Sequence, residues 1–185
     1  MENMVGKNKL SVREMCQIGI FVAIVAVCAQ IAIPQPSGVP FTLQAWAIAL
    51  AGIVLGAKKG ALVAIIYVAL GIVGAPVFVG FSGGVGMLVH PTGGFLFSFP
   101  ILAFFAGLGS GKGAVFFNYI GIAVGAVANF VCGMLYFSFI TSLSLQISFM
   151  YAVAPFIIPT AIKIALVPTL GSSIKMALTK AQVQV

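Results

Sequence analysis

No acidic residue follows Glu14. Among 185 residues the only acids are Glu2 and Glu14, and everything after them is a series of long apolar runs broken by short turns rich in Gly, Pro or Lys. A chain that is 62% hydrophobic and 6% charged has too little polar surface to cover itself in water, so an integral membrane protein is expected. The formal charge of +7 then comes from cations scattered at membrane exits, not from a nucleic-acid patch. The first apolar run is too long, and lacks a small-residue cleavage signal, for a signal peptide. Cys16, Cys28 and Cys132 are odd in number and widely spaced, which reads as small buried residues and neither a disulfide framework nor a metal site.

The apolar runs give six helices. The first is expected from about Arg13 to Ile33, where Pro34 and Pro36 stop it. The second opens at Phe41-Thr42-Leu43-Gln44-Ala45-Trp46, with Thr42 placed to cap it, and runs to about Gly56. The third covers about Gly60 to Ile72, the fourth about Gly94 to Gly109 with an interruption at Pro100. The fifth covers about Gly113 to Ile140, and the sixth about Gln146 to Leu178, where Pro155, Pro159 and Pro168 must bend it or break its ladder. The second and third are short for a bilayer, a sign of a binding site within the bundle. Gly121, Gly125 and Asn129 recur at four-residue spacing. The glycines suit helix packing, and Asn129 needs a partner from another helix or a ligand.

Six crossings place the N-terminus, the turn at 58–59, the turn at 112 and the C-terminus on one side. Lys7, Lys9, Arg13, Lys58, Lys59, Lys112, Lys175 and Lys180 all fall there, eight of the nine cations. The positive-inside rule makes that side, and both termini, cytoplasmic. The chain thus reads as a single integral membrane domain over 1–185, with a cytoplasmic N-terminal cap at 1–12 and an outer loop or lid at 75–93.

That outer loop lies within Gly74 to Gly94, the longest stretch that cannot be a plain helix. Six glycines from Gly80 to Gly94, with Pro76 and Pro91, favour turns. Irregular backbone near the membrane is tolerated where protein buries it or where it lines a cavity. With Phe78, Phe81 and His90 it suits the lid or wall of a small-molecule site, and an ordinary interhelical connection is the alternative.

Lys163, the ninth cation, lies twelve residues before Lys175, roughly 18 Å along a helix. An ammonium at that depth usually marks a pathway or ligand site. No acid exists in any membrane segment to pair with it, so carbonyls, water or an anionic ligand must supply the counter-charge. On helix one, Gly19, Ala23 and Ala26 share a face that lets another helix approach closely, within the bundle or from a partner. There is no P-loop, no HExxH, no paired carboxylate and no Ser-His-Asp set, so neither ATP binding by a P-loop nor acid–base catalysis is expected, and no cofactor is implied.

Pro40-Phe41-Thr42 before a short helix, the turn Lys58-Lys59-Gly60, Tyr67, and Gly71 through Gly74-Ala75-Pro76-Val77-Phe78 together resemble the BioY family of biotin transporters. Gly83-Gly84, then Pro91-Thr92-Gly93-Gly94-Phe95-Leu96, and the segment from Pro155-Phe156 to Lys163 continue the resemblance over nearly the whole chain. It implies a six-helix substrate-capturing S component of an energy-coupling-factor transporter that binds biotin at its outer face. It further implies a transmembrane coupling protein and two cytosolic ATPases as partners, with Gly19, Ala23 and Ala26 as the face met by the coupling protein. Thr160 stands where the family commonly carries an Asp three positions before the lysine, and His90 precedes the PTGG motif.

The candidate biotin site is therefore Phe41, Thr42, Gln44, Tyr67, Phe78, Gly83, Gly84, His90, Thr92, Gly93, Asn129, Thr160 and Lys163. Aromatic residues would form its walls, the neutral side chains would hydrogen-bond the ureido group, and Lys163 or His90 would meet the carboxylate. An S component for another vitamin or a biotin precursor, and a small pore-forming or structural membrane protein, are the alternatives.

Overall fold

The computed structural model describes residues 10–110 and 115–183. Lys7, Lys9, Lys112, Gly113 and most of the 1–12 cap lie outside the described residues. Helix α1 (Val12–Gln30) starts from a capping box: the Ser11 hydroxyl accepts from the Glu14 amide at 3.2 Å, and the Glu14 carboxylate accepts from the Ser11 amide at 2.9 Å. It ends three residues before the expected Ile33, because the chain there turns into a hairpin. Strands β1 (Ala32–Ile33) and β2 (Phe41–Thr42) pair antiparallel, Ala32 opposite Thr42 and Ile33 opposite Phe41.

Helix α2 (Gln44–Leu55) begins beyond that ladder. Thr42 therefore sits in a strand instead of at the N-cap, although its hydroxyl still accepts from the Gln44 amide at 3.3 Å. Helix α3 (Ala57–Ile72) starts three residues earlier than expected and takes Lys58 and Lys59 into its first turn. Helix α4 (Gly93–Gly109) runs through Pro100 without a break. The proline forfeits one rung, but α2, α3 and α5 pack around the helix and hold its axis.

Helix α5 (Val115–Thr141) lies along α4 in the most extensive helix contact of the bundle. A Cβ at Gly121 would overlap the Phe105 carbonyl, and one at Gly125 would press on that of Leu102, so these glycines set the interhelical distance. The expected sixth helix is divided. Helix α6 (Leu145–Ala152) ends at Val153, a 3-10 turn covers Ala154–Phe156, and helix α7 (Ile157–Val183) follows. Pro155 has no amide to continue the ladder of α6, while Pro159 falls in the first turn of α7, where no amide is needed. Pro168 is absorbed inside α7.

Three helical stretches, Val12–Gln30, Val115–Thr141 and Leu145–Lys180, are long and apolar enough to cross a membrane. Large apolar side chains such as Ile20, Val127, Phe139 and Ile158 stand on the outside. In water that surface would be costly, and in lipid it is the natural exterior. The chain is a helical membrane protein whose core runs through α1, α2, α3, α4 and α5.

The two ends of the bundle differ in charge. Glu14 pairs with Lys59 at 2.5 Å, tying the start of α1 to the start of α3. Near the same end Lys175 donates to the Ser110 carbonyl and hydroxyl, each at 2.6 Å, so the ammonium meets the C-terminus of α4, where carbonyls point out unpaired. The opposite end carries the β1–β2 hairpin and the loop after α3.

Candidate functional site

The loop between α3 and α4 folds back on itself before it meets the bundle. Gly80 and Phe81 both take left-handed backbone angles, φ 67° and 55°, and a bridge pairs Phe78 with Ser82. This small turn aims Phe78 inward, where it is buried, and leaves Phe81 exposed. The Phe78 ring occupies the space that a side chain at Gly71 would need, and it meets Tyr67 edge-on with centroids 5.5 Å apart. The Gly84 amide then donates to the Gly71 carbonyl at 2.7 Å, with Gly84 at φ 97°.

Between this loop, the 34–40 loop, the N-terminal parts of α2 and α4, Asn129 in the middle of α5 and Phe156 of the 3-10 turn lies a cavity of about 470 Å³. That is within the usual range for a small-molecule site. Phe78, Phe95, Leu96, Phe99, Phe156 and Met87 give it apolar walls, and Thr42, Gln44, His90, Thr92 and Asn129 give it polar points. Among the described residues His90 is the only titratable side chain on the lining, and it meets the Thr92 hydroxyl at 2.8 Å on the exposed side.

Two hydrogen-bond chains stiffen the wall. Gln44 Nε2 donates to the Tyr67 hydroxyl at 2.8 Å, and that hydroxyl donates to the Val77 carbonyl at 2.8 Å. Asn129 Nδ2 donates to the Phe95 carbonyl at 3.1 Å and to the Ser98 hydroxyl at 2.7 Å, so its partner is helix α4. Ser98 in turn donates to the Gly94 carbonyl at 2.9 Å.

Six of the thirteen residues expected at the site line the cavity: Thr42, Gln44, Phe78, His90, Thr92 and Asn129. Tyr67 stands behind Gln44, and Phe41 stacks on Phe156 with centroids 6.4 Å apart. Gly83, Gly84 and Gly93 shape the loop without lining the space. Thr160 and Lys163 lie four and seven residues beyond Phe156, so Lys163 is about 10 Å further along α7. It is buried, 4% exposed, with no hydrogen bond or ion pair among the described residues.

Pro34, Gln35, Val39 and Pro40 on the 34–40 loop, and Phe95, Phe99 and Phe156, were not anticipated at the cavity. A signal existed for the loop, which is uncharged, flanked by prolines and on the same side as Gly74–Gly94. Of the three small residues on α1, Gly19 and Ala23 are exposed, and nothing lies within 4 Å of a Cβ built at Gly19; Ala26 packs against the core.

The comparisons with known proteins agree with one another. A probable biotin transporter BioY from Pyrococcus horikoshii is 38% identical over 156 residues, 84% of this chain and 92% of that protein. The biotin transporter BioY2 of Lactococcus lactis subsp. cremoris is 34% identical over 164 residues, 88% of this chain and 90% of the relative. The crystal structure of an S-component for biotin from an ECF-type ABC transporter superposes with a TM-score of 0.81 at 25% identity, covering 89% of this chain and 92% of that one. The sequence model of the BioY family matches residues 4–180, and this chain belongs to the BioY family.

Proposed function

We propose that this protein is the biotin-capturing S component of an energy-coupling-factor transporter. The observation that carries the reading is the cavity of about 470 Å³ at the cation-poor end, apolar-walled and fitted with neutral hydrogen-bonding groups, in a chain of this family. Biotin has an apolar ring and tail, a ureido group that donates and accepts, and a carboxylate. Phe78, Phe95 and Phe99 suit the apolar part. Thr42, Gln44, Thr92 and Asn129 suit the ureido group, and His90 at the rim suits the carboxylate.

In this reading the chain is one membrane domain that crosses the bilayer six times, α6 and α7 together making the last crossing. Both termini face the cytoplasm and residues 75–93 form the outer lid. Tyr67, Phe41, Gly83, Gly84 and Gly93 hold the wall in shape. Thr160 and Lys163 lie beyond Phe156 along α7 and reach the cargo when that ring moves aside. The exposed Gly19 and Ala23, with Ala26, meet a transmembrane coupling protein, and two cytosolic ATPases supply the energy. The protein is then a transport subunit and not an enzyme.

Equilibrium binding of labelled biotin to the detergent-solubilised protein tests this. A Kd well below about 1 μM is expected, weakened by substitutions at Phe78 and Asn129. Micromolar or weaker binding that ignores those substitutions would overturn the reading. Thr160 in place of the family's acid favours one second reading, a biotin precursor or another vitamin as cargo, and competition by that compound above biotin itself would select it.

A further inference from the structure

Two amide side chains reach the cavity wall with their orientation already decided. The Tyr67 hydroxyl has one proton, and the Val77 carbonyl 2.8 Å away can only accept it. The phenolic oxygen must therefore accept from Gln44, which fixes the atom 2.8 Å away as Nε2. Asn129 is fixed in the same way. The Phe95 carbonyl can only accept, and Ser98 spends its proton on carbonyls of α4, so both partners require the Asn129 NH2 group.

What remains is Gln44 Oε1 and Asn129 Oδ1. Neither has a hydrogen-bond partner among the described residues, and neither is sealed in protein, since the fully buried unpaired side-chain atoms there are Asn118 Oδ1 and Ser148 Oγ. Gln44 and Asn129 are 4% and 5% exposed and both line the cavity, so the surface they keep is cavity surface. Turning either amide over would set its oxygen against a lone pair of Tyr67 or against the Phe95 carbonyl.

We infer that Gln44 and Asn129 select the cargo by its N–H donors, each offering a carbonyl acceptor to a ureido N–H, while Tyr67 and Ser98 are positioning residues that keep the amides from turning over. The inference rests on the biotin reading above and names the atoms that discriminate. A ring in which an oxygen replaces one N–H brings lone pair against lone pair at the same size.

The test is a cycle between ligand and protein, read by calorimetry on the purified full chain. The ligands are biotin, its two cyclic carbamate analogues (one ureido N–H replaced by oxygen) and biotin methyl ester. The proteins are the wild type, Gln44→Met, Asn129→Leu and Tyr67→Phe. For the wild type each carbamate should bind roughly 10- to 100-fold more weakly than biotin. Gln44→Met should erase that penalty for one carbamate and Asn129→Leu for the other, with the methyl ester penalty unchanged in both. Tyr67→Phe removes no cavity atom yet should lower the preference for biotin over the carbamate that Gln44 discriminates. If Asn129→Leu does not fold, the Gln44→Met and Tyr67→Phe arms carry the result. Penalties that stay the same in every variant overturn the inference while leaving biotin capture intact. A wild type that binds no biotin overturns the cargo reading and this inference with it.

Discussion

Gln30 holds Phe78 across 48 residues of chain: its Nε2 donates to the Phe78 carbonyl at 3.0 Å. Its Oε1 accepts from the Phe81 amide at 2.9 Å, so one amide grips the loop at two points. The last turn of α1 is thereby joined to the residue that forms the cavity wall.

Gln30→Ala should loosen this grip while leaving the bundle intact. Two loop groups lose their partners, which costs about 1–3 kcal/mol in all because the site is partly exposed to water. The expected result is a faster release of biotin, by about tenfold, with a small fall in melting temperature. Dissociation of labelled biotin after dilution reads it, and an unchanged release rate would separate the loop from retention of the cargo.

Gly84→Val acts through the backbone. A Cβ there meets open space, but φ 97° is a left-handed angle that a branched side chain resists. The strain should pull the Gly84 amide from the Gly71 carbonyl and slow biotin association more than it alters the melting temperature. Stopped-flow association kinetics measure this. Gly84→Ala should have a smaller effect in the same direction.

Ala23→Leu should leave biotin binding within about twofold of the parent, because Ala23 is exposed and makes no part of the cavity wall. Co-purification with the coupling protein and uptake in cells should both be lost, since a bulky side chain prevents close approach of a second helix. Normal recovery of the complex would show that this face looks only at lipid.

Lys163→Met keeps much of the side chain and removes its charge. A buried ammonium without an acidic partner costs more than an apolar isostere, so the ligand-free protein should melt at a higher temperature. Biotin affinity should fall by about tenfold or more if the ammonium helps to hold a polar group of the cargo past Phe156. Equal affinity with raised stability would make Lys163 a packing residue.

The helical runs could be read from the sequence because lipid demands apolar segments and, Lys163 apart, the charges fall at their ends. The approximate courses of α2, α3, α4 and α5 follow from that alone. Asn129 and Phe78 were legible too, as a polar group on an apolar helix and an aromatic in a glycine-rich loop. The prolines of the last helix announced a bend or a break, but not its place, since Pro155, Pro159 and Pro168 look alike in sequence and differ only in where each falls in its turn. Gln30 was not legible. At the end of an apolar helix it is unremarkable, and its partners lie 48 and 51 residues away. The β1–β2 hairpin was missed because two paired residues on each side leave no alternating pattern to read.

That hairpin has a consequence for how one wall of the cavity can vary. Its ladder fixes the chain at Ile33 and Phe41, so residues 34–40 hang from a closed stem, carry cavity-lining side chains and touch the helices through Val39, which packs with Phe137 of α5 and Ala152 of α6. Closing a loop of a few more or fewer residues on such a stem changes the entropy only slightly. A change of length or sequence around Val39 would therefore reshape one wall of the cavity, while the stem and the Val39 anchor keep the loop on the membrane scaffold.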